Sequence, residues 1–278
     1  MTINGLHKFL SNQGIEFKSI DIKRLKDKSI AIDANNIMYP LYCSALKHCS
    51  DMFLATGDRS IVTSSWIKRV ISIGLIGKRN GINMIWVFDS KADDLKKDTQ
   101  NKRKEKVIKN KENVEKKTED GTLETSDIIK DVRMEREEVE ELKEALRSNK
   151  FEVIMAETEA EKECVKLCLD RDDVVAVYSN DGDCLVYGCP LMIKKIYDDH
   201  VDVLTIGIIL KRLDITFEQF RDMCIYAGTD YNKNIKNIAC GKLYKRLQEG
   251  QKLYKCFKKE GIDDSMVNYE EVKKLFIL

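Results

Sequence analysis

The clearest hydrophobic pattern in the chain is a set of three short apolar runs that each end at an aspartate. These runs stop at Asp33, Asp89 and Asp181. Runs this short, rich in Ile, Val and aromatic residues and flanked by polar ones, are typical of buried parallel strands. Because ligand sites in open α/β sheets lie beyond the carboxyl ends of the strands, the pattern predicts three carboxylates at one sheet edge.

The rest of the chain continues an alternation of strand and helix patterns. Outside the three runs, the pattern predicts helices at 60–76, 159–169 and 217–226 and strands at 151–155, 191–196 and 201–204. Alternation of this kind favours an α/β fold with a mostly parallel central sheet flanked by helices. We expect one domain over residues 1–278, made of an N-terminal segment (residues 1–90), an insertion (residues 91–147) and a C-terminal segment (residues 148–278).

The insertion differs from its surroundings in composition, since no aromatic residue occurs between Phe88 and Phe151. Residues 91–117 hold eleven basic and six acidic side chains, whereas residues 118–144 hold eleven acidic and four basic ones. Charge runs of this kind are typical of a solvated helical hairpin or a partly disordered segment. The alternative is a mobile basic helix poised over the site, followed by a return helix.

The overall composition bounds the function classes. Charged residues make up 34% of the 278, but the formal net charge is only +1, which argues against a uniformly basic nucleic-acid binder. Nine scattered cysteines without a Cys-x-x-Cys pair, and three histidines without zinc spacing, predict reduced structural thiols. With no apolar run long enough to span a membrane and no secretory signal pattern, we expect an intracellular protein.

Four more acids join the three aspartates as candidates for chemistry. Asp183 lies two residues after Asp181, Glu159 and Glu161 open a predicted helix, and Asp230 follows another helix. Seven carboxylates at one sheet edge repel one another unless cations lie among them, and Mg²⁺ or Mn²⁺ suits oxygen ligands. Each acid also has a structural explanation as a turn or capping residue, for example a capping box between Thr158 and Glu161.

Six motifs, in order over about residues 1–247, resemble those of the flap endonuclease/XPG family of structure-specific 5′ nucleases. The motifs are Met1-Thr-Ile-Asn-Gly-Leu, Ile30-Ala-Ile-Asp33-Ala, Trp86-Val-Phe-Asp89, Ala156-Glu-Thr-Glu159-Ala-Glu161, Ser179-Asn-Asp181-Gly-Asp183 and Met223-Cys-Ile-Tyr-Ala-Gly-Thr-Asp230-Tyr. The resemblance implies a PIN-like 5′ nuclease fold with a helical arch, or gateway, at 91–147 and a helix–two-turn–helix-like region at 217–250. It also implies a two-metal enzyme, in which the seven acids bind two Mg²⁺ or Mn²⁺ ions.

The resemblance further implies a substrate and residues that contact it. The substrate would be branched, nicked or flapped DNA, hydrolysed in replication, repair or recombination. Lys96 and Arg103 stand at the spacing of the family's two catalytic basic residues, which would neutralise the scissile phosphate. Tyr39 stands where the family has an aromatic residue that stacks on a base, although a core tyrosine is the alternative. Arg69 is a candidate contact to duplex phosphates.

The chain departs from the family pattern near its C-terminal end. The family's Gly-Ile-Gly hairpin, which binds duplex backbone and often K⁺, corresponds to residues 237–242, where both hairpin glycines are replaced. The resemblance therefore does not support a K⁺ site, and Gly241 and Lys242 remain as candidate duplex contacts. No sliding-clamp peptide is recognisable, so a clamp partner is unsupported. We expect a monomer, located in the nucleus or cytoplasm, or at a viral replication site if the protein is viral.

Two other interpretations of the acids remain open from the sequence. A metal-dependent phosphatase or nucleotide-sugar transferase also uses an Asp-x-Asp site, but Asn35 stands where a phosphatase would place its second acid after Asp33. A non-catalytic relative that binds branched DNA would keep the fold. Such a relative is expected to lose acids, whereas all seven are present.

Overall fold

The computed structural model describes residues 3–90, 97–122, 124, 126–127, 132–261 and 265–278. Its strands are β1 Lys18–Asp21, β2 Ser29–Asp33, β3 Asn83–Phe88, β4 Glu152–Met155, β5 Val174–Tyr178, β6 Leu191–Ile196 and β7 His200–Thr205. Its helices are α1 Leu6–Asn12, α2 Ala34–His48, α3 Ser50–Thr56, α4 Arg59–Arg79, α5 Lys97–Glu119, α6 Arg136–Ser148, α7 Ala160–Asp170, α8 Asp183–Tyr187, α9 Ile206–Leu213, α10 Phe217–Ala227, α11 Cys240–Gln248, α12 Leu253–Glu260 and α13 Tyr269–Leu275. Short 3₁₀ turns occur at Ile22–Leu25 and Ser265–Val267.

The seven strands form one sheet in the order β1-β7-β6-β5-β2-β3-β4. The five strands from β6 to β4 run parallel, whereas β7 is antiparallel to both β6 and β1. The mostly parallel α/β fold predicted from the sequence is therefore confirmed. The predicted strand pair at 191–204 forms the β6–β7 hairpin, which extends the sheet on one side.

The central strand β2 is buried at every position, since hydrophobic layers cover both faces of the sheet. One layer includes α1, α7, α8, α10 and α11, and the other includes α2, α4 and α6. Close packing of α4 depends on glycine: a Cβ at Gly74 would lie 2.4 Å from Cζ of Phe151. The small residue lets α4 approach the start of β4, which helps to set the positions of the strand ends.

The insertion predicted at 91–147 divides into two regions by packing. Residues 97–119 form the long helix α5, in which acidic and basic side chains alternate with few apolar ones. By contrast, α6 buries Leu142 and Leu146 completely in the layer formed with α2 and α4. The return helix of the insertion thus belongs to the body of the fold.

All nine cysteines are free thiols, and five of them are buried. Burial raises the pKa of Cys168 to about 12 and that of Cys240 to about 11, so these thiols stay protonated at neutral pH. Within the described ranges, no helix combines the length and apolarity needed to cross a membrane.

Candidate metal centre

The seven candidate acids lie beyond the carboxyl ends of four strands that are neighbours in the sheet. In the order β5-β2-β3-β4, the strand ends lead to Asp181, Asp33, Asp89 and Glu159. Register keeps these ends level, because Asp33 pairs with Val87 of β3 and Phe88 pairs with Met155 of β4. The sheet therefore gathers at one edge carboxylates that are far apart in the sequence.

Asp33 joins β2 to α2 and is held by hydrogen bonds from both sides. Its Oδ2 accepts from Ser179 Oγ at 2.9 Å, and its Oδ1 accepts from the Asn36 amide at 3.2 Å as the N-cap of α2. Ser179 Oγ in turn accepts from the Asp181 amide at 3.0 Å. The loop after β5, which carries Asp181, is thus tied directly to the end of β2.

Asp89 is tied to the next strands in the same way. Its Oδ1 accepts from the Ala160 amide at 2.7 Å, at the positive N-terminus of α7. Its Oδ2 accepts from the side-chain amide of Asn35. Asp89 therefore connects the first turn of α2 with the helix that carries Glu161.

The glutamates open α7, and the side chain of Glu159 contacts a residue outside this helix. Glu159 is the N-cap residue of α7, yet the structure has no side-chain cap hydrogen bond there. Instead, Glu159 Oε2 accepts from the Tyr231 hydroxyl, which lies 3.1 Å from the hydroxyl of Tyr187. The glutamate is therefore oriented toward Tyr231, the residue after Asp230, rather than toward its own helix.

Electrostatic interactions show that the acids share one region. Burial raises the pKa of Asp33 well above its ordinary value, with repulsion from Glu161 and Asp89 adding to the rise. Burial likewise raises the pKa of Asp181 to about 6, reinforced by the charges of Glu161 and Asp230. Glu161 therefore lies near both aspartates, and the mutual repulsion of these carboxylates disfavours their ionisation.

The donor set fits hard divalent cations. All candidate ligands are carboxylates, four of them aspartates that are at most 8% exposed, and Asp183 is fully buried. Buried carboxylates that repel one another are stabilised by Mg²⁺ or Mn²⁺ and by few other partners. Within the described residues, no three His, Cys, Asp or Glu side chains converge on one point in the conformations shown.

The predicted DNA contacts lie on the helices α2, α4 and α11. Tyr39 is 46% exposed on α2, which disagrees with the alternative of a core tyrosine. Arg69 is half-buried on α4, with Nη1 3.4 Å from Ser44 Oγ. Gly241 is exposed in the first turn of α11 and has open space around it, and Lys242 Nζ donates to Asn237 O at 2.9 Å.

The two predicted catalytic basic residues receive no test from the structure. Lys96 lies outside the described residues. Arg103 falls within α5, but its side chain is outside the described region of the chain. Their assignment stays a prediction.

Sequence reasoning missed the polar residues that hold the acids in place. Asn35 and Asn36 follow Asp33 directly, and Ser179 precedes Asp181 by two residues. These residues lie inside the acidic motifs, at the ends of buried strands, and this position was the signal that could have identified them as residues that orient the acids. Tyr231 offered the same signal beside Asp230.

The fold and this edge define the chain as an α/β protein with a carboxylate-lined site, and comparison with known proteins identifies its family. The XPG N-terminal domain profile matches residues 1–110, and the XPG I-region profile matches residues 150–230. Flap endonuclease 1 of Methanococcus aeolicus is 31% identical over 273 residues, which cover 95% of this chain and 79% of that protein. The chain therefore belongs to the flap endonuclease/XPG family.

A second relative and two solved structures agree with this assignment. Flap endonuclease 1 of Cryptosporidium muris is 31% identical over 267 residues, 90% of this chain and 56% of that protein. The flap endonuclease-1 structure from Methanococcus jannaschii superposes with a TM-score of 0.65 at 25% identity, covering 95% of this chain and 82% of that one. The catalytic core of Rad2 in complex with a DNA substrate superposes with a TM-score of 0.64 at 19% identity, covering 97% and 77%.

The chain differs from several relatives in length. It spans about half of the Cryptosporidium flap endonuclease 1 proteins, 56% and 54%.

Proposed function

We propose that the chain is a divalent-metal-dependent, structure-specific 5′ nuclease that hydrolyses phosphodiester bonds in branched, nicked or flapped DNA. The observation that carries this proposal is the row of acids at the ends of four neighbouring strands, of which Asp33, Glu159 and Asp181 are buried. Family membership supports the reaction class, and the DNA-bound Rad2 core supports DNA as the ligand.

The residues that would hold two Mg²⁺ or Mn²⁺ ions share a carboxylate and a place at this edge. They are Asp33, Asp89, Glu159, Glu161, Asp181, Asp183 and Asp230. When bound, two such ions stabilise the attacking and leaving oxygens of a phosphoryl transfer and favour ionisation of an attacking water. The hydrogen bonds on Asp33 and Asp89 fix the orientation of these carboxylates before any ion enters.

The chain would supply the remaining elements of the reaction from its own side chains. Lys96 and Arg103 would neutralise the scissile phosphate, since cations preorganised at the reacting group stabilise its developing charge. The exposed ring of Tyr39 would stack on a base beside the cut, an interaction that tolerates any base. Such a site selects the shape of the DNA rather than its sequence.

The phosphatase alternative has no support from the geometry. Asn35, where that chemistry needs a second acid, donates its amide to Asp89 and acts as a scaffold for the carboxylates. A non-catalytic relative is disfavoured because Asp33 and Asp181 are buried beside like charges, at a cost in stability that binding alone does not require.

The test is cleavage of 5′-flap, nicked, gapped and blunt DNA with and without Mg²⁺. The Asp181→Ala variant should lose Mg²⁺-dependent cleavage and keep most of its DNA binding. Asp172→Ala is a matched control, because this exposed aspartate precedes the other end of β5. Cleavage that persists in Asp181→Ala, or that is absent from the wild type on all four DNAs with Mg²⁺, would contradict the proposal.

A further inference from the structure

A buried carboxylate outside the acid cluster, Glu138, lies at the start of α6. It is 7% exposed and accepts hydrogen bonds on both oxygens. Oε2 accepts from Arg59 Nη2 at 2.8 Å and from the Glu135 amide at 2.8 Å, and Oε1 accepts from Thr63 Oγ1 at 2.7 Å. The Glu138 carboxylate therefore accepts from two side chains of α4 and from the backbone at the start of its own helix, and these three donors fix its orientation.

Arg59 extends this contact to two further segments. Its Nη2 also donates to the backbone oxygen of Arg133 at 2.7 Å and to the Tyr42 hydroxyl at 3.0 Å, and its Nε lies 3.3 Å from a Glu135 oxygen. Arg133 and Glu135 belong to the segment of the insertion that leads directly into α6. The pair of Arg59 and Glu138 therefore joins that segment to α2 and α4.

The network is charged, although it is largely shielded from solvent. Burial opposes ionisation of Glu138, but hydrogen bonds from Arg59, Glu135 and Thr63 hold the pKa of Glu138 below its ordinary value. Both partners are thus ionised at neutral pH. Removal of one partner leaves the other charge without its counterion in a poorly solvated place, which disrupts a structure far more than loss of a surface ion pair.

The anchored segment lies beside the surface that the proposed function assigns to DNA. The Tyr42 hydroxyl donates to Arg133 O at 3.4 Å, so Arg133 lies against α2. In agreement, the positive charge of Arg133 opposes the rise that burial causes in the pKa of Tyr39. Tyr42, which contacts the network, lies three residues after Tyr39 on α2. The N-cap of the same helix is Asp33, more than two turns away from Tyr42.

We propose that Arg59 and Glu138 are positioning residues. They fix residues 133–138, including the Arg133 side chain, beside the face of α2 that carries Tyr39, so that this surface binds a 5′ single strand. The inference rests on the proposed function. Because the network contacts α2 far from Asp33, its loss should weaken binding of a DNA with a single-stranded arm while the chemical step at the acids is retained.

The test compares Arg59→Met and Glu138→Gln with the wild type on 5′-flap DNA and on nicked DNA without a flap. We expect the KM for flap DNA to rise about tenfold, the size of losing one charged hydrogen bond, with kcat within about twofold. The KM for nicked DNA should not change. Arg171→Met is the matched control, since Arg171 bridges Glu152 and Asp173 at the amino ends of β4 and β5, away from the carboxyl ends where the acids lie.

Two further measurements separate positioning from a general loss of folding. Arg59→Lys retains a cation for Glu138, but its single ammonium has no counterpart of Arg59 Nε, which lies 3.3 Å from a Glu135 oxygen. Its KM for flap DNA should therefore fall between those of wild type and Arg59→Met. Hydrogen exchange should accelerate at residues 133–139 in Glu138→Gln and remain at the wild-type rate in β2.

Equal losses on both DNAs, or a fall in kcat without a rise in KM, would overturn the inference. If the wild type cleaves neither DNA, the proposed function fails on its own. Equilibrium binding of the same two DNAs without divalent ions then still decides the inference. A weakened preference for flap DNA in both variants supports it, and an unchanged preference overturns it.

Discussion

Replacing Asp181 by asparagine should stabilise the metal-free protein at neutral pH, although the same substitution removes a carboxylate from the candidate metal centre. The carboxylate is buried beside Glu161 and Asp230, and burial and repulsion raise its pKa from 3.8 to about 6. Such a rise corresponds to about 3 kcal/mol of folding free energy lost once the group is ionised. Asparagine has nearly the same shape, and its Oδ1 can still accept from the Asp183 amide, as Asp181 does at 3.1 Å.

The sign and the pH window follow from the raised pKa. Below about pH 4 the group is protonated in both the folded and the unfolded chain, so it contributes no difference. Between about pH 4 and pH 6 the unfolded chain releases its proton first, and the free energy of unfolding falls as the pH rises. The advantage of Asp181→Asn should therefore be near zero at about pH 4 and approach about 3 kcal/mol at about pH 8.

Urea unfolding in EDTA at about pH 4, 6 and 8 measures this difference, and a second series in Mg²⁺ completes the cycle. The wild type should gain about 2.7 kcal/mol when the Mg²⁺ concentration is about 100 times the Kd, and the variant should gain less. Asp173→Asn is a control of opposite sign, because hydrogen bonds from Arg171 and Ser29 lower the pKa of Asp173. An advantage of Asp181→Asn that is absent at the highest pH, or equally large at the lowest, would refute the reasoning.

Three further predictions concern other regions of the structure. Tyr231→Phe removes the hydrogen bond to Glu159 and should weaken Mg²⁺ binding about tenfold, measured as the Mg²⁺ concentration that half-saturates thermal stabilisation; an unchanged midpoint contradicts this. Gly74→Ala places a Cβ 2.4 Å from Phe151 and should lower the free energy of unfolding by about 1–3 kcal/mol in urea titrations. Tyr39→Ala should raise the Kd for branched DNA about tenfold with little change in the melting temperature, because Tyr39 is 46% exposed; a much lower melting temperature would indicate a packing role.

The strand ends could be predicted from the sequence because each is a local pattern. An apolar run that stops at Asp33 or Asp89 marks both a buried strand and the polar edge where it ends. The order of the strands could not be obtained in this way. β2 lies between β3 and β5, and this placement depends on which helices cover which face, a property of contacts far apart in the chain.

The charged insertion shows a different limit of sequence reasoning. The helix at 136–148 carries so many charges that its composition suggests a solvated segment, yet Leu142 and Leu146 are fully buried. They are four residues apart, as are Val139 and Lys143, and this one-face spacing is the signal of a packed helix. Averaging charge over the whole insertion concealed it.

The polar scaffold of the site explains why the acids remain gathered despite their repulsion. Ser179 links the loop of Asp181 to Asp33, Asn35 links α2 to Asp89, and the Ala160 amide links Asp89 to α7. Each link satisfies a carboxylate oxygen with a donor from a different segment, so neither Asp33 nor Asp89 can turn away without leaving a buried polar group unsatisfied. Because the acids cannot move apart, their repulsion raises the pKa values of Asp33 and Asp181. Binding of a divalent cation among them would offset this repulsion.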